Sequence, residues 1–364
     1  MASETGTKGR RRQRLIGFWL LLMGGMVVVM VVLGGLTRLT DSGLSMVEWR
    51  PVTGWLPPLS HAAWEEAFAA YRAFPEYQKV NAGMTLAQFQ DIYWLEYVHR
   101  LWGRLIGVAF ALPLIVFIVR RWIDRALAWK LVGIFLLGGL QGAVGWFMVK
   151  SGMIDRPDVS QYRLVAHLGM ALVIYSAILW VAMGLLAGPA PSTSPVSSRV
   201  ANRARALAGL VFLTMLSGGF VAGLDAGYAY NTFPLMDGEL IPAEAFGLSP
   251  WWRSLFEDVA TVQFMHRLLA MTTLGAVLAF RLSLRGIALP ASSRRATNLL
   301  AAWVVVQFAL GVATLLSFVA LPLAALHQAS ALILFTLALW CAFALSAASP
   351  SSWSPAALPD RGVA

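Results

Sequence analysis

The sequence predicts an all-α polytopic membrane protein, with eight transmembrane helices arranged as two tandem four-helix bundles. Hydrophobic residues make up 58% of the 364 residues and charged residues only 13%, whereas a soluble domain of this length would need far more charge. Several apolar stretches approach the ~20 residues that a helix needs to cross a bilayer. Four of the five histidines also recur at matched positions in the two halves of the chain.

Eight apolar stretches are predicted to span the membrane, with boundaries good to about 2–4 residues. They cover about residues 15–36, 96–119, 128–149, 164–187, 204–225, 262–284, 297–318 and 322–347. The first stretch follows a basic segment, but it is too long for the apolar region of a signal peptide and no clean cleavage site follows it. We therefore expect it to be a retained helix.

Basic residues cluster on one side of this eight-span arrangement. That side holds 17 of the 28 lysines and arginines, and the opposite side with its helix ends holds 15 of the 18 acidic residues. The positive-inside rule places both termini in the cytoplasm. The membrane is expected to be the bacterial inner membrane. The net charge of +10 therefore indicates topology and contact with anionic lipids, and not a nucleic-acid partner.

The predicted organisation has five parts. These are a basic N-terminus (1–14), a first repeat (15–187), a Pro- and Ser-rich linker (188–203), a second repeat (204–347) and a cytoplasmic tail (348–364). Two long connections, 40–95 and 226–261, lie on the outer side above the histidines, where long loops are commonly lids or interaction surfaces. The single cysteine, Cys341, excludes an intramolecular disulfide and is expected to be a small core residue.

Aligning the two halves shows a tandem duplication of four helices. Glu96-Tyr-Val-His99-Arg100 matches Gln263-Phe-Met-His266-Arg267, and the segments that begin Ala166-His167 and Leu326-His327 match each other. The first helices align Gly34-Gly with Gly218-Gly, and the third helices give a looser match of 138–145 with 307–314. Because each unit has an even number of spans, the copies share one orientation and are predicted to be related by a pseudo-twofold axis along the membrane normal.

The four repeated histidines are the candidate functional residues. They form two pairs, His99 with His167 and His266 with His327, at the outer ends of the second and fourth helices of each repeat. Ionisable side chains at membrane depth are costly, and two facing imidazoles are the usual way in which a helical bundle holds haem iron. Four interfacial histidines with no ligand are the blander alternative, and that interpretation is kept for His61, which has no counterpart.

Neighbouring charged residues refine this interpretation. Arg100 and Arg267 follow their histidines and are candidates for contact with haem propionates, although snorkelling to the interface explains them equally well. Glu96 precedes His99 by one helical turn, whereas the matching residue is Gln263, which cannot ionise. A carboxylate beside one iron ligand can relay protons, so the first site is predicted to be reactive and the second structural or electron-supplying.

A zinc site is a weaker hypothesis, because carboxylate and thiolate partners are missing at ligand spacing.

These residues resemble the haem A synthase family over about residues 15–347. The resemblance rests on the two His-Arg segments, on the helices of His167 and His327, and on the outer segments 34–46 and 231–236. The first outer loop has no cysteine, whereas some bacterial members carry a cysteine pair there, so the chain looks more like the proteobacterial and mitochondrial branch.

The resemblance implies an oxidoreductase that acts on a CH group and converts a ring methyl of haem O to a formyl group, through successive hydroxylations and loss of water. It implies that His266 and His327 ligate the iron of a haem b cofactor, that His99 and His167 flank the iron of the substrate haem, and that Glu96 is needed for the chemistry. The implied partners are haem O, membrane lipids, an electron donor, haem O synthase and cytochrome oxidase assembly factors. The small residues in 24–35 are compatible with a homo-oligomer.

Two other functions fit the same residues. A di-haem b-type electron carrier would use both histidine pairs without any chemistry on the haem. A repeat-built transporter would use the histidines as proton relays and would bind no pigment.

Overall fold

The computed structural model describes residues 2–48, 53–152, 159–187 and 196–347, without the side chains of residues 2–7 and 151–152. The predicted tail at 348–364 and residues 188–195 of the predicted linker lie outside the described residues. Each helix below is named in chain order.

Helices form nearly all of the described regular structure. They are α1 (Ala2–Leu39), α2 (His61–Arg72), α3 (Pro75–Lys79), α4 (Leu86–Val119), α5 (Arg125–Gly152), α6 (Gln161–Leu186), α7 (Ser198–Gly223), α8 (Ser254–Glu257), α9 (Val259–Ser283), α10 (Ala291–Leu316) and α11 (Leu321–Ala347). Eight of them, all except α2, α3 and α8, are long and apolar enough to cross a membrane. The prediction of an all-α protein with eight spans is confirmed.

Four of the spanning helices begin six or more residues before the predicted membrane spans. α1 begins at Ala2 instead of 15, α4 at Leu86 instead of 96, α7 at Ser198 instead of 204, and α10 at Ala291 instead of 297. Hydropathy marks where a chain enters lipid, whereas a helix continues as long as its backbone hydrogen bonds do. Polar turns outside the membrane were therefore missed.

The extension of α4 is built as an amphipathic helix start. Thr85 and Gln88 form a capping box, in which each side chain bonds the other's backbone N–H. The buried rings of Phe89 and Tyr93 pack with Phe68 and Tyr71 from α2 in an aromatic cluster. This cluster fixes the first outer connection against the end of the helix that carries His99.

The spanning helices pack in a cyclic order within each half of the chain. In the first half, α1 and α5 each pack against both α4 and α6; in the second half, α7 and α10 each pack against both α9 and α11. The halves meet where α6 packs on α7 and α1 on α11, and one hydrophobic core runs through both. The description as two separate bundles about a pseudo-twofold axis stays a prediction.

The first helices of the two repeats end in the same way. Asp41 and Asp225 follow α1 and α7, and both have a left-handed backbone, with φ of 48° and 52°. Aspartate tolerates this conformation better than most residues, so it suits a sharp exit from a helix. The matched exits direct both outer connections across the ends of the histidine-bearing helices.

Candidate functional site

The four predicted histidines occupy equivalent places on α4, α6, α9 and α11. His167, His266 and His327 lie about two turns from the starts of their helices, and His99 lies further along α4 because that helix begins outside the apolar region. Alternate spans run in the same direction, so all four lie toward the side on which α1 ends and α4 begins, called the outer side below. All four side chains are partly buried.

Each histidine faces a glycine of the preceding spanning helix. A Cβ added to Gly34 or Gly145 would lie 3.0 or 2.9 Å from Cε1 of His99 or His167. In the second half, a Cβ on Gly218 or Gly311 would lie 3.2 or 2.9 Å from Cε1 of His266 or His327, respectively. These glycines therefore provide the space in which the imidazoles sit, and the same contact recurs at all four histidines.

The two histidine-bearing helices of each half stand on opposite corners of the cyclic arrangement. α4 and α6 share no extensive packing, and neither do α9 and α11, in this fully described part of the chain. Each histidine contacts a glycine on a helix that packs against both histidine-bearing helices of its half. Each half thus directs two imidazoles into the space between its four helices.

Glutamines on α5 and α10 hold the ends of α6 and α11. Gln141 donates to the backbone carbonyl of His167 at 2.9 Å, and Gln307 donates to that of His327 at 3.1 Å. Each amide also approaches its histidine ring, at 3.5 Å from Nε2 of His167 and 3.1 Å from Nδ1 of His327. These contacts align Gln141 with Gln307 and Gly145 with Gly311, so the predicted match of 138–145 with 307–314 was wrong by three residues.

Comparison with known proteins identifies the family. A family model described as "Cytochrome oxidase assembly protein" matches residues 17–339. The chain belongs to that family. A protein of Nitrosospira multiformis named "Heme A synthase" is 54% identical over 329 residues, which cover 90% of this chain and 92% of that protein. One of Rhodospirillum centenum with the same name is 52% identical, and "Heme A synthase COX15" of Bos taurus is 45% identical over 93% of this chain and 84% of that protein.

The cytochrome oxidase assembly family is the one that the sequence resemblance predicted, and its bacterial and bovine members support the proposed branch. The alternative of an electron carrier without chemistry on the haem has no support among these relatives. Family membership also establishes a multi-pass membrane protein and implies a haem cofactor.

In this family member, Glu96 is buried at the foot of the first outer connection. Its Oε2 accepts from Ser45 Oγ at 2.6 Å and from the backbone N–H of Met46 at 2.7 Å. Its Oε1 accepts from Arg100 Nη2 at 2.5 Å, one turn along the same helix. Arg100 also donates to the carbonyls of Met46 and Glu48. The Glu96–Arg100 pair therefore clasps residues 45–48 over the end of α4.

The second half has the same clasp with an amide in place of the carboxylate. Gln263 donates to the carbonyl of Ala226 at 2.7 Å and accepts from Arg267 at 3.0 Å. Arg267 donates to the carbonyls of Tyr230 and Thr232 at 2.7 and 2.9 Å. Both arginines thus bind loop carbonyls, and their contact with haem propionates stays a prediction. His61, the histidine without a counterpart, is exposed at the start of α2 and lies 3.6 Å from Glu65.

The two halves differ in the hydrogen bonds at Nδ1 of their histidines. In the second half, Nδ1 of His266 lies 2.8 Å from Ser217 Oγ, and Nδ1 of His327 lies near Gln307. In the first half, Nδ1 of both His99 and His167 is buried without a hydrogen-bond partner among the described residues. A buried polar atom without a partner is costly, and such atoms concentrate where a ligand is to be bound.

These observations fit haem. Axial ligation of an iron porphyrin needs two imidazoles that face one space, and the four glycines leave room for them. In the sequence, the histidines located the two candidate haem sites, and four polar residues that contact the site residues were missed: Ser45, Gln141, Ser217 and Gln307. The Gln-x-x-x-Gly spacing shared by 141–145 and 307–311 was the signal that identifies two of them. The serines have no matching residue in the other repeat that marks them.

Proposed function

We propose that this chain is a haem A synthase, which oxidises a ring methyl of haem O to a formyl group. The relatives that support this assignment carry that name, and the alignments with them cover more than four fifths of their length. The observation that carries the proposal is the unequal pair of sites. Both halves set two histidines against two glycines, but only one half places a carboxylate one turn from a histidine.

The first half is proposed to bind the substrate. His99 and His167 flank the iron of haem O, because they are the two histidines that this half sets against glycines of the helices beside them. Glu96 is the proposed catalytic residue, since its carboxylate can hold or move a proton beside the substrate and the amide of Gln263 cannot. Ser45 bonds Glu96 Oε2 through its hydroxyl and links the carboxylate to the outer connection.

The second half is proposed to hold a haem b cofactor between His266 and His327. Haem b supplies one-electron transfer when it is bound. The hydroxyl of Ser217 beside Nδ1 of His266 supports a permanent mount, because such a contact orients an iron ligand before the metal arrives. Both sites lie toward the outer side, which favours exchange of electrons between them over transfer across the membrane.

The proposed setting is the bacterial inner membrane with both termini in the cytoplasm. The supporting observation is the charge distribution, since the basic segments at 8–14, 120–130, 199–205 and 281–295 fall on one side of the eight spans. Haem O synthase and oxidase assembly factors are the proposed protein partners, with a separate electron donor. Homo-oligomers are proposed to form through the small residues of α1.

The direct test is conversion of haem O. The chain is expressed in a bacterium that makes haem O but lacks its own haem A synthase, and the extracted haems are analysed by mass spectrometry. We expect haem A in membranes with the wild-type chain and none with the empty vector. Purified protein that carries haem B alone, without conversion, would support the electron carrier instead. Colourless protein without a Soret band would support the transporter.

A further inference from the structure

We propose that Ser217 is a positioning residue that fixes His266 as an iron ligand through Nε2, and that this contact makes the second site retain its haem more tightly than the first. The proposal rests on the proposed function only in taking His266 as a ligand of the cofactor. The structural basis is a polar chain on α7 and α9 that the first half replaces with apolar side chains.

The proton positions follow from the acceptors around Ser217. Its hydroxyl lies 2.8 Å from the carbonyl of Thr214, one turn earlier on α7, and 2.8 Å from Nδ1 of His266. A carbonyl oxygen only accepts, so both contacts of Ser217 are made when its hydroxyl donates to Thr214 and its oxygen accepts from Nδ1–H of His266. Donation from Ser217 to Nδ1 would leave the carbonyl contact without a proton, so we assign the ring proton to Nδ1. The lone pair therefore lies on Nε2, which is the nitrogen that iron requires.

Two threonines extend this chain away from the histidine. Thr214 Oγ1 lies 2.9 Å from the carbonyl of Leu210 and donates to it. Thr273 Oγ1 on α9 lies 2.8 Å from Thr214 Oγ1 and is buried, so it is the donor in that pair. Because Thr273 and His266 belong to the same helix, the hydrogen bonds of α7 set the register of α9 at two points. The histidine ring is thus held both directly and through its helix.

The first half has no polar chain at these positions. The two halves are aligned on the glycines that face His266 and His99, Gly218 and Gly34. In this alignment Ser217 corresponds to Leu33, and Thr214 corresponds to Met30. Seven residues after the histidine, Thr273 corresponds to Ile106. The Nδ1 atom of His99 has no hydrogen-bond partner among the described residues.

This difference separates a permanent site from an exchanging one. Partners that bond the second nitrogen of a ligating histidine fix its tautomer and raise its basicity, and their loss typically weakens metal binding by about 10–100-fold. A substrate site must release its haem as product, whereas a cofactor site must not. The serine is therefore placed where retention is useful and omitted where turnover requires exchange.

The test compares full-length variants purified in mild detergent. We expect Ser217→Ala to release haem b to apomyoglobin about 10–100-fold faster than wild type. Its haem b midpoint potential should become more positive, since a less basic imidazole stabilises ferric iron less. Ser217→Thr keeps the hydroxyl and should restore both readouts to within twofold of wild type. Ser176→Ala is the matched control, because Ser176 is also a helical serine that bonds a backbone carbonyl one turn earlier.

Wild-type release and midpoint potential in Ser217→Ala would overturn the proposal. If that variant does not accumulate, the reciprocal change decides. Leu33→Ser, in a background with His266→Ala, should slow the loss of haem from the first site, and an unchanged rate would overturn the proposal. Haem O conversion is scored separately. If the wild-type protein makes no haem A while Ser217→Ala still releases haem b faster than wild type, the enzyme assignment alone is refuted.

Discussion

Arg38 of the first repeat donates through Nη2 to the carboxylate of Asp225 in the second repeat, at a distance of 2.8 Å. Its Nη1 donates to Asp41 at 2.7 Å, so one guanidinium bridges the matched aspartates that follow α1 and α7. Arg38 is mostly buried whereas both carboxylates are largely exposed. The pair joins the two halves at the outer side, directly beside the exits of both outer connections.

We predict that the Arg38–Asp225 contact contributes modestly to stability. A double-mutant cycle with Arg38→Gln and Asp225→Asn should give a coupling energy of ~0.2–1 kcal/mol, because solvent screens the exposed carboxylate. Reversible unfolding in mixed detergent micelles measures this energy. Asp41→Asn in the same cycle should couple to Arg38 by a similar amount. A coupling above that range would mean that lipid or protein shields the pair from water.

Removal of a second-half histidine should empty the proposed cofactor site. His266→Ala and His327→Ala are expected to lower the haem b that copurifies with the protein, since a single axial imidazole binds iron more weakly than two. Pyridine haemochrome spectra of the purified variants quantify the bound haem. His61→Ala is the control, because that histidine is exposed and lies at the start of α2. Wild-type haem content in both second-half variants would remove this pair from the site.

Replacement of the carboxylate should stop the chemistry and spare the fold. Glu96→Gln keeps an oxygen that accepts from Ser45 or Met46, so we expect protein with normal haem b content. We expect little haem A, because an amide cannot take up a proton at neutral pH. Mass spectrometry of the extracted haems provides the measurement, and Glu65→Gln, at an exposed position of α2, is the control. Normal conversion by Glu96→Gln would leave Glu96 only its role in clasping the loop.

Two glycines of α5 should respond in opposite ways to alanine. Gly145→Ala places a methyl group 2.9 Å from Cε1 of His167 and should displace that ring, with loss of substrate haem binding. Gly142→Ala meets open space and should be neutral or stabilise the helix by up to about 1 kcal/mol, since alanine is the better helix former. Spectral titration with haem O separates them. Equal binding by both variants would contradict the placement of His167 against Gly145.

The sequence predicted the parts of this structure that rare residues mark. Histidine and arginine are rare in apolar helices, so the match of His99-Arg100 with His266-Arg267 identified the repeat, and the match of Gly34 with Gly218 extended it to the first helices. The third helices were aligned in the wrong register because α5 is rich in glycine around 138–145, and a glycine-rich stretch aligns equally well in several registers. Only the contacts of Gln141 and Gln307 with their histidines fixed the correct one.

Contacts with the backbone were beyond sequence reasoning. Arg100 and Arg267 were expected to face haem propionates or the interface, yet their guanidinium groups bind the carbonyls of the outer connections. A carbonyl is the same group in every residue, so nothing in the sequence marks which one an arginine will reach. The missed first turns of α1 and α4 have a related cause, because they are held by helical hydrogen bonds and not by apolarity.

Each outer connection is tied to a histidine-bearing helix by the side chains next to the histidine. Glu96 lies one turn before His99 and Arg100 lies directly after it, and both side chains bind residues 45–48 of the outer connection. Any rotation or axial slide of α4 that accompanies the arrival of a ligand at His99 therefore moves residues 45–48 with it. Gln263 and Arg267 bind the second outer connection beside His266 in the same way. In each half, the outer connection is therefore coupled to the histidine beneath it.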